Sequence, residues 1–278
     1  MLVFVALMAM AQVDASVPDA SVDPVARAPD GGLPPRGLAC LTQWYAGEVE
    51  YGGDAGWGLH LPNGVFLKWT SPAPLSDDED VPASQNLEDI YRPPYVAGPI
   101  VPIDTSDAGN HIDDPGRVRV EQLLLATYGK DREQVLSHMG RVRFFGIRWP
   151  FHELAAPALD RVVARITEAA KTDKKLLPFV QDIGGTWIWR KISRSKNLSA
   201  HAFGIAIDIN VERSAYWRWT RRGEPIVWQN KIPQAIVDAF EAEGFIWGGR
   251  WVHYDTMHFE YRPELLAADC RDEADGGR

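Results

Sequence analysis

Cysteine is scarce in this chain, with Cys40 and Cys270 the only two among 278 residues. They stand near the two ends of the region whose composition suits folding. In an oxidising compartment they could pair and tie the N-terminal segment to the C-terminus, and otherwise they are two free thiols. Positive charge is also short, at 29 Lys and Arg against 38 Asp and Glu, for a formal net charge of -9. Phosphate binding draws on clustered Lys and Arg, so nucleic acid is not an expected partner. Long apolar runs are missing too. Residues 2 to 11, LVFVALMAMA, are too few to span a bilayer, and no later segment is long and apolar enough. Ala9-Met10-Ala11 fits the small-x-small pattern of a signal-peptidase site, although no Lys or Arg precedes the run. Residues 1–11 are therefore read as a signal peptide and the mature chain as exported, periplasmic or extracellular, without an integral membrane segment.

What is present suffices for a sizeable core, since 45% of the residues are hydrophobic. Residues 12–37, rich in Asp, Ala, Pro, Ser and Gly, read as a flexible linker. Residues 38–110 read as an N-terminal extension, in which WGLHLPNGVFLKW sets two apolar runs around Asn63-Gly64, the signature of a β-hairpin. SPAPLSDDEDVPAS reads as loop. Residues 111–270 read as the main domain and 271–278 as a disordered tail. Within the domain, Asp114, Pro115 and Gly129 suggest the cap, first position and end of one helix. Leu159, Val162, Val163 and Ile166 recur at helical spacing in a second, from about 156 to 170. A third begins at Pro233, buries Ile236, Val237 and Phe240, and stops at Gly244. RVRFFGIRW is strand-like. No internal repeat is visible, and the irregular order of strands and helices points to an α+β fold with a small antiparallel sheet and packed helices.

The chemistry concentrates in two blocks. In GIAIDIN, Ile205, Ile207 and Ile209 fall on one face of a strand, with Ala206, Asp208 and Asn210 on the other. His201 lies just upstream, where a bend at Phe203-Gly204 would bring its ring to the same space. In MHFEYR, His258, Glu260 and Arg262 share one face while Met257, Phe259 and Tyr261 share the opposite one. Two such strands could converge His201, Asp208 and His258 on one metal ion. Two imidazoles and a carboxylate suit Zn²⁺, with a fourth position left for water.

The pattern at Ser199, His201, Gly204, Ala206 and Asp208, followed by W-G-G-x-W and D-x-x-H-F-E, resembles the M15 family of zinc D-alanyl-D-alanine carboxypeptidases and L-alanyl-D-glutamate endopeptidases. The likeness spans roughly residues 180 to 266 and implies the α+β fold shared with the Hedgehog signalling domain. It implies one zinc ion on His201, Asp208 and His258, with Asp255 as catalytic acid/base and Arg190 binding a substrate carboxylate or polarising the scissile carbonyl. The residue types fit this without the name: a carboxylate must carry a proton from water to the leaving amine, and a guanidinium fork suits a terminal carboxylate. Glu260 could accept the outer ring N–H of His258 and orient it.

Plainer readings apply elsewhere. His60, His111, His138 and His152 are read as ordinary surface or core residues, and HELAAP at His152 lacks the second histidine of a zincin helix. His253 beside Asp255 is a candidate for the cleft wall, and Ser199 for a substrate contact or a turn-stabilising hydroxyl; no nucleophile elbow surrounds it. Trp187, Trp189, Trp247 and Trp251 are read as core, with one or two walling the cleft. The expected activity is hydrolysis of peptidoglycan stem peptides by a monomer, as a D-alanyl-D-alanine carboxypeptidase. The alternatives are an L-alanyl-D-glutamate endopeptidase and a non-catalytic, metal-stabilised module binding cell wall or protein.

Overall fold

The computed structural model describes residues 26–70, 86–106, 114–193, 195 and 197–270. The expected signal peptide, much of the linker, the acidic loop at 71–85, His111 and the tail from 271 lie outside them. In chain order the regular elements are α1 (Arg36–Leu41), β1 (Glu48–Tyr51), β2 (Trp57–His60), β3 (Phe66–Lys68), α2 (Glu121–Tyr128), α3 (Arg132–Ser137), β4 (Met139–Phe144) and β5 (Ile147–His152). There follow α4 (Ala156–Thr172), β6 (Ile183–Gly185), β7 (Ala206–Asn210), α5 (Gln234–Glu241), β8 (Phe245–Trp247) and β9 (His258–Tyr261). The strands form a β1-β2-β3 sheet, a β4-β5 hairpin and a sheet of order β6-β7-β9-β8, all antiparallel. This is the expected α+β class.

The four-stranded sheet is two-sided in the way its sequence requires. Ile205, Ile207 and Ile209 are fully buried, as is Phe259, which pairs with Ile207 across β7 and β9. Phe240 of α5 stacks on Phe259 with centroids 3.9 Å apart, so α5 covers this face. Helix α4 starts with a proline in its first turn and packs Leu159, Val162 and Ile166 into the same core, while Val163 is only partly buried. Each such side chain removed from water contributes about 1.5–3 kcal/mol before conformational entropy is charged against it.

Two expectations need correction. Residues 114–120 form no helix; α2 begins at Glu121, and Gly129 ends it as expected. Gly116 has φ +79, outside helical geometry, and a Cβ there would meet Ile246 and Leu265 side chains at 2.7 Å. The Arg-Val-Arg-Val run after it alternates with the period of extended chain. RVRFFGIRW is strand as expected, but in two arms rather than one: residues 141–144 belong to β4 and 147–149 to β5, with Phe145 and Gly146 between them both at positive φ, as a two-residue turn requires. The Asn63-Gly64 hairpin is present, and β1, not expected, adds a third strand to it.

The described residues of 38–106 share the hydrophobic cluster of the main domain rather than forming a core of their own. Tyr45 meets Tyr128 edge-on. The buried Tyr95 hydroxyl donates to Glu241 of α5 (2.5 Å) and accepts from the Trp247 amide (2.9 Å). Cys40 in α1 is disulfide-bonded to Cys270, a separation of 230 residues.

Closing so long a loop constrains the unfolded chain strongly. Reduction, or Cys40→Ser, is expected to cost about 2–4 kcal/mol of unfolding free energy. Urea titrations with and without reductant measure it, and coincident curves would refute the contribution.

Candidate metal centre and cleft

The antiparallel register of β7 and β9 sets Asp208 directly opposite His258 and Ala206 opposite Glu260, on the face turned away from α5. His201 comes from a single 3₁₀ turn, Ala200–Phe203, that precedes β7. The Ser199 hydroxyl caps this turn by accepting the His201 amide (3.4 Å), and Gly204 closes it at φ +67. At this φ any other residue would be strained, and a Cβ at Gly204 would also have to displace the Met139 sulfur, 2.5 Å away, so the bend that returns His201 toward Asp208 favours glycine.

The three side chains converge. His201 Nε2 lies 3.2 Å from Asp208 Oδ1 and 3.2 Å from His258 Nδ1, and His258 Nδ1 lies 2.9 Å from Asp208 Oδ1. Ligand atoms about 2.0–2.1 Å from a tetrahedral ion sit about 3.3 Å apart, so the cluster is of the right size for one. The outer nitrogens are committed elsewhere: His201 Nδ1–H donates to the Thr186 carbonyl (3.2 Å), and His258 Nε2–H to Glu260 (3.4 Å). Both rings therefore turn lone pairs inward, toward a carboxylate oxygen. Three acceptors in contact require positive charge between them, and the donor set fits a metal ion. Burial raises the Asp208 pKa, but the two imidazoles outweigh it and hold the carboxyl far below its ordinary range. Burial likewise opposes a charged His258, yet Asp208 and Glu260 carry its pKa up to about 9, so without an ion Nδ1 would hold a proton toward Asp208, and a metal ion would displace that proton to use the lone pair.

Glu260 is itself held by a buried arginine. Arg119 donates through Nε (3.0 Å) and Nη2 to its two oxygens, and Arg262 approaches to 3.5 Å. Burial would raise the Glu260 pKa; Arg119, His258 and Arg262 hold it well below the usual carboxylate range. The acceptor that fixes the His258 tautomer thus stays ionised.

Asp255 lines the same cavity, and its Oδ1 is enclosed without a hydrogen-bond partner among the described residues. Its amide donates to the Gly248 carbonyl (2.9 Å), and a Cβ at Gly248 would stand 2.6 Å from the Asp255 carbonyl. The W-G-G-x-W motif is thereby a backbone cradle for this acid. Burial and the Asp208 charge push the Asp255 carboxyl up to about 7, against the pull of His258, His201 and Arg117. A carboxyl poised there can accept and release a proton near neutrality.

The other expected residues have distinct places. His253 is buried on the cavity wall, edge-on to Trp217, and its amide and Nδ1 both donate to Asp114 at 3.0 Å. Arg190 is exposed at the cavity margin; its carbonyl accepts from the Ser199 amide (3.0 Å), and its side chain's one hydrogen bond among the described residues is to the Lys191 carbonyl at 3.4 Å. Ser199 reaches the cavity while capping the His201 turn. Trp251 lines the cavity beside His258, Trp247 is core, Trp187 bonds the Ala202 carbonyl and Trp189 packs on the core from outside. Sequence reading missed Asp114, Arg117, Arg119 and Thr186. The period-two pattern of residues 117–120 was the available signal for the arginines; a backbone carbonyl such as Thr186 leaves none.

An acid with a near-neutral pKa beside two imidazoles and a carboxylate, all in one cleft, is the kind of site that hydrolases use. Comparison with known families narrows this: residues 193–261 match the family model described as D-alanyl-D-alanine carboxypeptidase. The match spans His201, Asp208, Asp255 and His258, and the M15 resemblance is borne out over this stretch. No solved structure matches the chain.

Asp114 provides a check on the electrostatics of the wall. Burial raises its pKa, but Arg117 and His253 lower it to about 2. Its stabilising contribution is complete above the ordinary carboxylate value near ~3.9 and is lost as pH falls toward the folded value. Unfolding free energy should drop by about 2 kcal/mol on this account over that window, and Asp114→Asn should remove the drop. An unchanged acid limb in the variant would contradict the assignment.

Proposed function

We propose that the protein is a zinc-dependent peptidase that hydrolyses peptidoglycan stem peptides, acting as a D-alanyl-D-alanine carboxypeptidase. The observation that carries this reading is the inward convergence of three acceptors, His201 Nε2, Asp208 Oδ1 and His258 Nδ1, beside the unpartnered Oδ1 of Asp255. Zinc held by those three atoms would supply Lewis acidity, lowering the pKa of water to about 7 and polarising the scissile carbonyl. Asp255 takes the proton of the attacking water and returns it to the leaving amine. Glu260, ionised by Arg119, keeps the His258 lone pair directed inward. Arg190 at the cavity margin offers its donors to the terminal carboxylate.

The cavity over these residues measures about 110 Å³. A space this small suits one short terminal residue, which favours removal of D-alanine over cleavage inside the peptide. The disulfide supports export, because such bonds persist in oxidising compartments.

Asp255→Asn should lower kcat by about 10²–10⁴-fold while zinc content, measured by atomic absorption, stays at one per chain. Glu260→Gln should keep the fold but weaken zinc binding by about 10–100-fold in a competitive chelator titration. The overall assignment is read by mass spectrometry of digested muropeptides. Release of D-alanine that stops with a chelator and returns with zinc is expected; a zinc-loaded protein that leaves all stem peptides intact would overturn it.

A further inference from the structure

The metal cavity is too small for a stem peptide, but it is not the largest hollow in the molecule. A groove of about 700 Å³ lies beside it, lined by Tyr216, Trp219, Tyr254 and charged residues of the 211–231 segment. Tyr216 lines both spaces, so the two are neighbours that share this side chain as a wall. Its volume falls in the range of about 300–1,000 Å³ found for ligand sites.

The groove is built on a pinned frame. Ala215 exchanges hydrogen bonds with Thr256 through its amide (to the hydroxyl, 2.7 Å) and its carbonyl (from the amide, 2.9 Å), and the Trp217 amide donates to the Tyr254 carbonyl (3.0 Å). The Tyr254 hydroxyl donates to the Val227 carbonyl (2.9 Å), and Trp228 Nε1 to the Gly249 carbonyl (2.9 Å). The same backbone that places Asp255, through its bridge to Tyr216, therefore sets one wall of the groove. Charges of both signs line it: Glu212 and Glu224, Arg221 and Lys231. Among the described residues none of these four side chains forms an ion pair or hydrogen bond, and Trp219 exposes 54% of its surface.

We infer that this groove binds the part of the substrate on the amino side of the scissile bond, a peptide segment bearing both a free amine and carboxylates. The inference rests on the peptidase reading and extends it to the substrate's length and charge. A neutral glycan would use the aromatic wall but leave four charged groups without partners, whereas a zwitterionic peptide answers both signs. Acids at 212 and 224 meet the amine, bases at 221 and 231 meet the carboxylates, and Trp219 packs on the aliphatic stem between them.

The test is calorimetric binding to the full chain of L-alanyl-γ-D-glutamyl-L-lysine, of the same tripeptide acetylated on the lysine amine, and of chitobiose. The free tripeptide should bind, acetylation should weaken it by about tenfold, and Glu212→Gln with Glu224→Gln should weaken the free form alike while leaving the acetylated form unchanged. Trp219→Ala should weaken both. These side chains are solvent-facing and outside the core, and far-UV circular dichroism checks that the variants fold. No binding of the tripeptide, indifference to the two Gln substitutions, or tighter binding of chitobiose would each overturn the inference. His201→Ala separates it from the peptidase reading: tripeptide binding should persist in this variant while hydrolysis is lost. Binding without hydrolysis in the native zinc-loaded chain would sink the peptidase reading alone.

Discussion

The pairing of β7 with β9 is the constraint on which the cleft is built. Antiparallel register sets Asp208 across from His258 and leaves the next pair, Ala206 and Glu260, to supply space and an acceptor. On the other face the same register buries Ile207 against Phe259 and Phe259 against Phe240. A slip of one residue would exchange the two faces, turning the isoleucines out of the core and Asp208 and His258 into it. Apolar packing on one side thus holds polar geometry on the other.

Positive charge in the cleft is distributed by depth. Arg119 and Arg262 lie deepest, where they keep Glu260 ionised, and Arg117 sits on Asp114 at the wall. Arg190 lies at the margin, open to a ligand. The buried arginines are tied to acids and set the protonation of their neighbours, while the marginal one is paired with no acid among the described residues. This order explains how an acidic protein can present a cationic rim without an excess of Lys and Arg.

The residues that converge were legible because strands broadcast their faces with a period of two. Isoleucines at 205, 207 and 209 point one way, so an aspartate at 208 has to point the other, and His258 and Glu260 obey the same rule. Residues 114–120 were misread because Asp-Pro-Gly imitates a helix start; only tertiary contacts, with Ile246 and Leu265 crowding Gly116 and with Trp251 and Arg262 drawing on the Pro115 and Gly116 carbonyls, show it to be extended. The integration of residues 38–106 was illegible for a similar reason. Tyr95 looks like a loop residue until Glu241 and Trp247, about 150 positions away, supply its partners.

Tyr95 also bears on how this architecture can be taken apart. Glu241 is shared between its hydroxyl and the Arg250 guanidinium, and Arg250 also donates to the Gly98 carbonyl. Cutting the chain ahead of residue 111 to obtain a minimal unit would strip a buried acid of two donors, the Tyr95 hydroxyl and the Gly98 amide, and uncover aromatic surface at the edge of β8. Residues 36–70 and 86–106 are structural masonry for the main domain, and chimaeras that graft this cleft onto another anchor have to carry them along.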